Sequence, residues 1–285
     1  MLNVILAALI VGLIFAILSM SSDLLIGYTG LMVMNQAAMM AVGAYAAALL
    51  SLRLGWPPLL CMLAGALIAG ASGVLVALPA FRLSHDYFLI ATLASQIAIV
   101  ALINNWISLT RGPLGLYGLQ RPAMFATLPR YFLLTLLVAS AALLLCWWLS
   151  KSYFGVTLQA LRDDQVSLEG LGTSIIQVKI EAMFIACTLM GLAGGLYAFY
   201  LTSLDPFSFA FSLSVLVLSM VVIGGAGNVL GTAAAGVLLV GIPEGLRYVG
   251  LSTVEFAQLR QMAYGALMVA FIMYRPRGLW GRRPL

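Results

Sequence analysis

The chain has 285 residues, of which 63% are hydrophobic and only 8% are charged, and its formal net charge is +5. Soluble domains are about 45–50% apolar and about 25% charged, so this composition excludes a water-soluble globular protein. The basic residues are scattered, which fits membrane-flanking loops and argues against a nucleic-acid partner. No polar block is large enough to fold separately, so residues 1–285 are expected to form a single membrane domain.

Charge-free apolar runs divide the chain into about nine candidate membrane spans. An ionised side chain is costly at mid-bilayer, so charges should mark span ends, and a helix needs about 20 residues to cross. The runs do not alternate apolar and polar residues, which argues against barrel strands and predicts an all-α polytopic helix bundle. The predicted spans are about 2 to 20, 24 to 52, 57 to 80, 87 to 107, 131 to 150, 182 to 203, 209 to 223, 229 to 249 and 257 to 275.

The second predicted span is too long for a straight crossing. Its 29 residues would reach about 43 Å as a helix, against about 30 Å of hydrocarbon. Gly27, Gly30 and the pair Asn35-Gln36 indicate a break in this span. Irregular backbone at membrane depth is tolerated only within protein or beside a water-filled cavity. We therefore expect Asn35 and Gln36 to face a water-accessible passage.

Further uncharged polar residues lie within the predicted spans. They can act either as hydrogen-bonding groups between helices or as the lining of a passage, and the sequence leaves both interpretations open. Gln96 joins Asn35 and Gln36 as a candidate for the translocation path. The other members of this polar set are Thr92, Ser95, Asn104 and Asn105.

Residues 151–181 form the one substantial polar segment. Four leucines fall near one face at helical spacing, and a glycine supplies a natural helix end. The pattern is compatible with a helix that lies on the bilayer, one that folds back on the bundle, or one that docks another protein. The leucines are Leu158, Leu161, Leu168 and Leu171, the glycine is Gly172, and the charged residues are Lys151, Arg162, Asp163, Asp164, Glu169, Lys179 and Glu181.

The distribution of basic residues predicts the orientation of the chain. Four arginines between residues 275 and 283 indicate that this end is cytoplasmic, since basic residues accumulate on that side. Nine spans then place the N-terminus outside. The same count places segments 81–86 and 151–181 in the cytoplasm and segment 108–130 outside.

No motif indicates an enzymatic activity or a cofactor. The chain lacks the phosphate-binding pattern G-x-x-x-x-G-K-[ST], so an ATP-driven role needs a separate ATPase. Gly70-Ala71-Ser72-Gly73 matches the motif of rhomboid-type intramembrane proteases, but the only histidine, His85, is predicted in a loop and not on a facing helix. We therefore predict no catalytic residue, and the lack of a Cys/His cluster argues against a metal site.

Motifs along nearly the whole chain resemble those of the branched-chain amino acid ABC importer permeases. Each motif is weak alone, but their order along the chain is specific. They are Gly27-Tyr28-Thr29-Gly30-Leu31, Asn35-Gln36-Ala37-Ala38, Asp86-Tyr87-Phe88, Gly112-Pro113-Leu114-Gly115-Leu116, Ala160-Leu161-Arg162-Asp163-Asp164, Gly191-Leu192-Ala193-Gly194-Gly195 and Arg275-Pro276-Arg277-Gly278-Leu279.

The resemblance implies a bacterial inner-membrane permease subunit, with a cytoplasmic coupling helix, for leucine, isoleucine and valine. It also implies as partners a paralogous permease chain, two ABC ATPase subunits and an external solute-binding protein, within membrane lipid. A permease for urea or short amides, and a self-sufficient channel or secondary transporter, remain alternatives. By this resemblance the ATPase-docking residues are Leu158, Leu161, Arg162, Asp163, Asp164, Leu168, Glu169, Leu171 and Gly172.

Overall fold

The computed structural model describes residues 2–246 apart from 82 and 84, together with residue 269. Most of the described residues are helical. They also include two short strands of two residues each, β1 (Leu116–Tyr117) and β2 (Ser203–Leu204). The helices are α1 (Leu2–Asp23), α2 (Gln36–Leu54), α3 (Pro58–Ala80), α4 (His85–Asn105), α5 (Ile107–Thr110), α6 (Leu128–Lys151), α7 (Tyr153–Asp163), α8 (Gln165–Gly170), α9 (Ile175–Leu201), α10 (Phe211–Gly224) and α11 (Val229–Leu246), with a π-helical turn at Leu24–Tyr28 and 3-10 turns at Gly112–Leu114, Ala123–Phe125 and Pro206–Phe209.

Seven helical segments of the described chain are long and apolar enough to cross a membrane. Within α11, Val229–Gly241 is a further, shorter apolar helix. The predicted all-α polytopic bundle is therefore confirmed, although membrane-length helices are fewer than nine in the described residues. The ninth predicted span, 257 to 275, lies outside the described residues except for residue 269.

The first span is longer than predicted, because α1 passes through Ser21, Ser22 and Asp23 and continues as the π-helical turn to Tyr28. The Ser21 and Ser22 hydroxyls donate to the Leu18 carbonyl oxygen at 2.8 and 2.9 Å, so the helix itself satisfies them. The side chain of Asp23 is fully buried. An acidic residue that was expected to mark a span end thus lies inside the bundle.

The predicted break in the second span lies between two helices. Residues 29–35 have no regular structure, and α2 then runs without interruption from Gln36 to Leu54. None of the seven irregular residues is exposed, so protein covers their backbone as a membrane environment requires. The predicted break is therefore found within residues 24–52, where it separates the π-helical end of the first span from the continuous helix of the second.

The centre of the bundle is formed by close helix packing. α9 packs against α2 and α3, while α1 packs against α11, α6 and α9. Gly43 of α2 faces Gly191 of α9, and a Cβ atom on Gly43 would overlap the Gly191 backbone. A Cβ atom on Gly191 would in turn overlap Ala69 of α3. Glycine at these two positions allows the backbones to approach as closely as membrane bundles favour.

The connecting segments gather at two ends of the bundle. At one end, which we call the α7–α8 end, α7 lies beside the π-helical turn. At the other, which we call the long-loop end, residues 106–127 lie over the ends of α6 and α9. There β1 pairs with β2 in antiparallel register, with Leu116 opposite Leu204. Successive spans therefore run in alternating directions between these ends.

Arg121 holds the long loop against the bundle. Its guanidinium carbon lies 5.6 Å from the ring centroids of both Tyr131 in α6 and Tyr200 in α9. Its Nη2 atom donates to the Tyr200 carbonyl oxygen at 2.8 Å. The Tyr131 hydroxyl also donates to the Leu196 carbonyl oxygen at 2.6 Å. These contacts fix the loop to two spans at once.

Candidate functional site

The predicted docking segment is two short helices and not one. α7 ends at Asp163, and Asp164 adopts an extended backbone with φ −157°. The Asp164 Oδ1 atom accepts from the Val166 and Ser167 backbone nitrogens at 2.9 and 3.3 Å, which caps α8. The Ser167 hydroxyl and these backbone donors hold the pKa of the Asp164 carboxyl below its usual range. The capping aspartate therefore starts a new helix at the point where the sequence suggested a continuous one.

The leucine stripe of this segment faces the chain's own bundle. Leu158, Leu161 and Leu168 are buried in the hydrophobic core, whereas Leu171 is 82% exposed. Contact of this segment with an ATPase stays a prediction, and in this conformation only Leu171 of the four leucines offers exposed surface for it. The apolar surface of the three buried leucines is already removed from water by packing within the chain, which is the fold-back arrangement that the spacing also allowed.

A mixed apolar and acidic surface remains exposed on the outer side of the segment. Four apolar side chains there have at least 60% of their surface exposed. The acidic residues predicted for docking are exposed as well. Sequence analysis missed three of the apolar members because they fall outside the leucine stripe. This surface, which we call the α7–α8 face, consists of Tyr153, Val156, Asp163, Asp164, Val166, Glu169, Leu171 and Gly172.

Arg162 connects this segment to the first span. Its Nη1 atom donates to the Gly27 carbonyl oxygen in the π-helical turn at 2.6 Å. Its side-chain carbons also lie against Gly30, where an added Cβ atom would come within 2.8 Å of the Arg162 Cγ atom. Arg162, one of the predicted docking residues, thus contacts both the π-helical turn and the irregular segment that follows it.

The same turn is linked to the connection between α10 and α11. The Asp23 Oδ1 atom accepts from the Gly227 backbone nitrogen at 2.8 Å. A Cβ atom on Gly27 would overlap both groups of this bond, so the turn approaches residues 225–228 closely. Asp23, Gly27, Arg162 and Gly227 form what we call the Gly27 junction. The position of Asp23 between two apolar runs was the sequence signal that could have identified it as a functional residue.

The three candidate path residues lie together in the interior. Asn35, Gln36 and Gln96 are 0–1% exposed. The Ala37 backbone nitrogen donates to the Ser214 hydroxyl at 3.0 Å, and that hydroxyl donates to the Gln96 Oε1 atom at 2.6 Å. A network of hydrogen bonds therefore joins the start of α2 to α4 and α10. We call Asn35, Gln36, Thr92, Gln96 and Ser214 the buried amide cluster.

Several polar atoms of this cluster have no hydrogen-bond partner among the described residues. They are both side-chain polar atoms of Asn35, the Gln36 Oε1 atom and the Gln96 Nε2 atom. A buried polar group left unpaired destabilises a protein by about 1–3 kcal/mol, so such atoms mark places where another partner is expected. In this conformation neither Asn35 nor Gln36 has exposed surface, and their contact with a passage stays a prediction.

A cleft reaches the cluster from the long-loop half of α4. It has a volume of about 300 Å³ and is lined by Gln96 and Asn104 among mainly apolar residues. The Asn104 Oδ1 atom is also buried without a partner. α4 is the least buried of the membrane-length helices. The remaining lining residues are Ile97, Val100, Ala101, Pro206, Phe207 and Phe211.

The Ser72 motif forms no comparable site. Ser72 lies in α3, and its hydroxyl donates to the Ala69 carbonyl oxygen of the same helix at 2.9 Å. A serine engaged in this way is typical of helix packing.

Comparison with known proteins identifies the family. A family model described as "Branched-chain amino acid transport system / permease component" matches residues 4–272. The chain belongs to this permease family. The resemblance seen in the motifs is confirmed, and the permease is a multi-pass protein of the inner membrane.

Curated relatives agree with this assignment. The permease is 30% identical, over 94% of its own length and 68% of theirs, to the proteins named high-affinity branched-chain amino acid transport system permease protein LivM of Salmonella typhimurium and Escherichia coli. It is 25% identical to the probable branched-chain amino acid transport permease protein LivM of Methanocaldococcus jannaschii, over 80% of its own length and 69% of that protein.

Solved structures share the fold of the permease. One is an inward-facing conformation of a putative metal-chelate type ABC transporter, with a TM-score of 0.54, 17% identity, and coverage of 95% of this chain and 85% of the other. Another is PsaBC from Streptococcus pneumoniae in complex with Fab, with a TM-score of 0.52, 16% identity, and coverage of 95% and 91%. At these identities the likeness extends to the fold alone.

Proposed function

We propose that this permease is the membrane-spanning subunit of an ATP-driven importer for leucine, isoleucine and valine. The family match over residues 4–272 carries the proposal, and the names of the LivM relatives support this substrate class. An external solute-binding protein delivers the amino acid. A paralogous permease chain and two ABC ATPase subunits complete the complex, and the ATPase subunits hydrolyse ATP.

In this proposal the α7–α8 end is cytoplasmic and the α7–α8 face contacts an ATPase subunit. Exposed apolar side chains such as Tyr153, Val166 and Leu171 supply the contact area. The acidic residues around them set the choice of partner, because charges at the rim of an interface mainly determine specificity. The buried leucines behind the face support its shape.

Movement of the docked segment reaches the spans through the Gly27 junction. Arg162 is bonded to the π-helical turn, and Asp23 of the first span is bonded to the connection between α10 and α11. Closure of the ATPase subunits shifts the balance between an outward-open and an inward-open state through these bonds. The irregular residues 29–35 follow directly and lead into the buried amide cluster.

The cluster and the cleft beside it form part of the translocation path. Amide side chains offer both donors and acceptors, so they suit the carboxylate and the ammonium group of an amino acid. Apolar residues of the cleft, such as Val100 and Phe207, suit a branched aliphatic side chain. The unpaired atoms of Asn35, Gln36 and Gln96 then find partners in the substrate or in water during transport.

Uptake measurements on reconstituted vesicles test the proposal. The complete complex should accumulate labelled leucine only when the binding protein is outside and ATP is on the side of the ATPase subunits. Leucine flux without ATP would instead indicate a channel or secondary transporter. ATP-dependent uptake of urea or acetamide without leucine uptake would indicate an amide permease.

Labelling of single cysteines tests the orientation. In a variant that lacks Cys61, Cys146 and Cys187, a cysteine at Thr127 should react with a membrane-impermeant reagent from outside. A cysteine at Ser174 should react only from the cytoplasmic side. The opposite pattern would reverse the orientation and remove the ATPase from the α7–α8 face.

A further inference from the structure

A second cavity, separate from the translocation path, lies at the α7–α8 end. Its volume is about 300 Å³, and it lies between the end of α6, α7, the π-helical turn and the start of α11. Polar side chains and backbone groups form its walls. The side chains that matter for its chemistry are Trp147, Ser150, Lys151, Gln159, Arg162 and Asn228.

The cavity has a positive charge balance. Lys151 and Arg162 both line it, and among the described residues no acidic side chain lines it. Asp23 lies behind the wall formed by Gly27 and Gly227, where its Oδ1 atom is bonded to the Gly227 nitrogen. Asp23 and Arg162 interact electrostatically across that wall, and the Lys151 ammonium group adds a positive charge at the cavity that favours an anionic occupant.

The cavity lies at the level where spans leave the hydrocarbon. The first span ends at Tyr28 and the span of α6 ends at Lys151, and both residues line the cavity. The Lys151 ammonium nitrogen lies 4.3 Å from the centroid of the Trp147 ring. A tryptophan and a lysine at the end of a span are typical of the region of lipid headgroups.

An apolar surface continues from the cavity toward the membrane interior. Leu230 lines the cavity and is 57% exposed. Leu144, one turn before Trp147 on α6, is 61% exposed. A molecule with an anionic head in the cavity could therefore lay an apolar chain along α6 and α11. This combination of head and chain is that of a phospholipid.

We propose that this cavity binds the phosphate headgroup of an anionic phospholipid. The phosphate oxygens accept from Lys151 and Arg162, and the acyl chains lie against Leu144 and Leu230. Basic cavities between membrane helices on the cytoplasmic side have the charge and depth that anionic headgroups require. The bound lipid packs beside the Gly27 junction, because Gly27 and Gly227 form one wall of the cavity. The proposal does not depend on which solute the permease carries.

Lipid retention by the purified complex tests the proposal. The complex is isolated in detergent, dioleoylphosphatidylglycerol or dioleoylphosphatidylcholine is added, and bound lipid is counted by native mass spectrometry. Lys151→Gln should weaken phosphatidylglycerol binding about fivefold, the effect of removing one basic residue from a membrane surface. Lys151→Arg should restore binding, because it retains the charge. Phosphatidylcholine binding should be weaker than phosphatidylglycerol binding and unaffected by the substitution.

Arg130→Gln is the matched control. Arg130 is exposed at the opposite end of α6, so the same charge is removed from the same helix away from the cavity. This variant should retain phosphatidylglycerol like the unmodified complex. Equal loss in both variants, or no loss in Lys151→Gln, would overturn the proposal. Displacement of the lipid by equimolar glycerol phosphate would also overturn it, since the site would then be one for a soluble phosphate.

Discussion

Replacement of Arg162 by alanine should separate ATP hydrolysis from transport. The substitution removes the bond from the Nη1 atom to the Gly27 carbonyl oxygen and leaves the exposed residues of the α7–α8 face in place. The ATPase subunits should therefore remain bound. Their movement should no longer be passed efficiently to the first span.

The size of the effect follows from the geometry of this bond. At 2.6 Å it is a short hydrogen bond from a charged donor. Such bonds contribute about 1.5–3 kcal/mol, which corresponds to roughly a tenfold to hundredfold change in an equilibrium. If the bond forms in only one of the two transport states, the leucine transported per ATP should fall at least about tenfold.

Reconstituted vesicles allow both quantities to be measured in one sample. ATPase co-purification reports assembly, and the ratio of leucine uptake to phosphate release reports coupling. Arg162→Lys should recover part of the ratio, because an ammonium group can also donate to the carbonyl oxygen. Arg53→Ala is the matched control, since it removes a 2.9 Å bond from an arginine to the Ser108 carbonyl oxygen at the long-loop end.

Two results would refute this reasoning. The first is an unchanged ratio of uptake to hydrolysis in Arg162→Ala with the ATPase subunits still bound. The second is release of the ATPase subunits by Arg162→Ala alone, which would make Arg162 a docking residue and not a link to the first span.

Four further substitutions distinguish core, docking, path and long-loop residues. Leu161→Ala should reduce the free energy of unfolding by about 2–5 kcal/mol and lower the Tm in detergent, because Leu161 is fully buried. Leu171→Asp should leave the Tm unchanged and reduce ATPase co-purification, because Leu171 is exposed. Gln96→Leu should lower leucine uptake in vesicles while the ATPase subunits stay bound. The substitution removes the Oε1 atom that accepts from the Ser214 hydroxyl and the Nε2 donor that has no partner among the described residues. Unchanged uptake would exclude Gln96 from the translocation path. Arg121→Ala should lower the Tm, with little effect on ATPase binding, because the long loop loses a hydrogen bond and two cation–π contacts worth about 0.5–2 kcal/mol each.

The positions of most spans could be predicted because apolar runs and their charged ends report directly on the cost of crossing a membrane. The turn between α10 and α11 was predicted at 224–228 and is found there, since glycines end one helix before the next begins. Asp23 is an exception to the expectation that charged residues lie at span ends. Its carboxylate accepts from a backbone nitrogen about two hundred residues away in sequence, and no local pattern contains that partner.

The docking segment shows a second kind of limit. Helical spacing identified three leucines that share a buried side but wrongly included the exposed Leu171, and a stripe alone does not say which surface covers it. In the structure the bundle covers Leu158, Leu161 and Leu168, and the outward face is formed by residues such as Tyr153 and Val166. The π-helical turn was not predicted either, and its close approach to Gly227 involves a partner that no local sequence pattern contains.

The glycine contact between Gly43 and Gly191 constrains how the permease can move. Where two backbones touch, no side chain can change rotamer to let one helix slide past the other. We therefore expect α2, α3 and α9 to move together as one body during the transport cycle. The irregular residues 29–35 join this body to α1, which packs against α10 and α11, so opening and closing should involve rotation of α1, α10 and α11 as a second body about that segment.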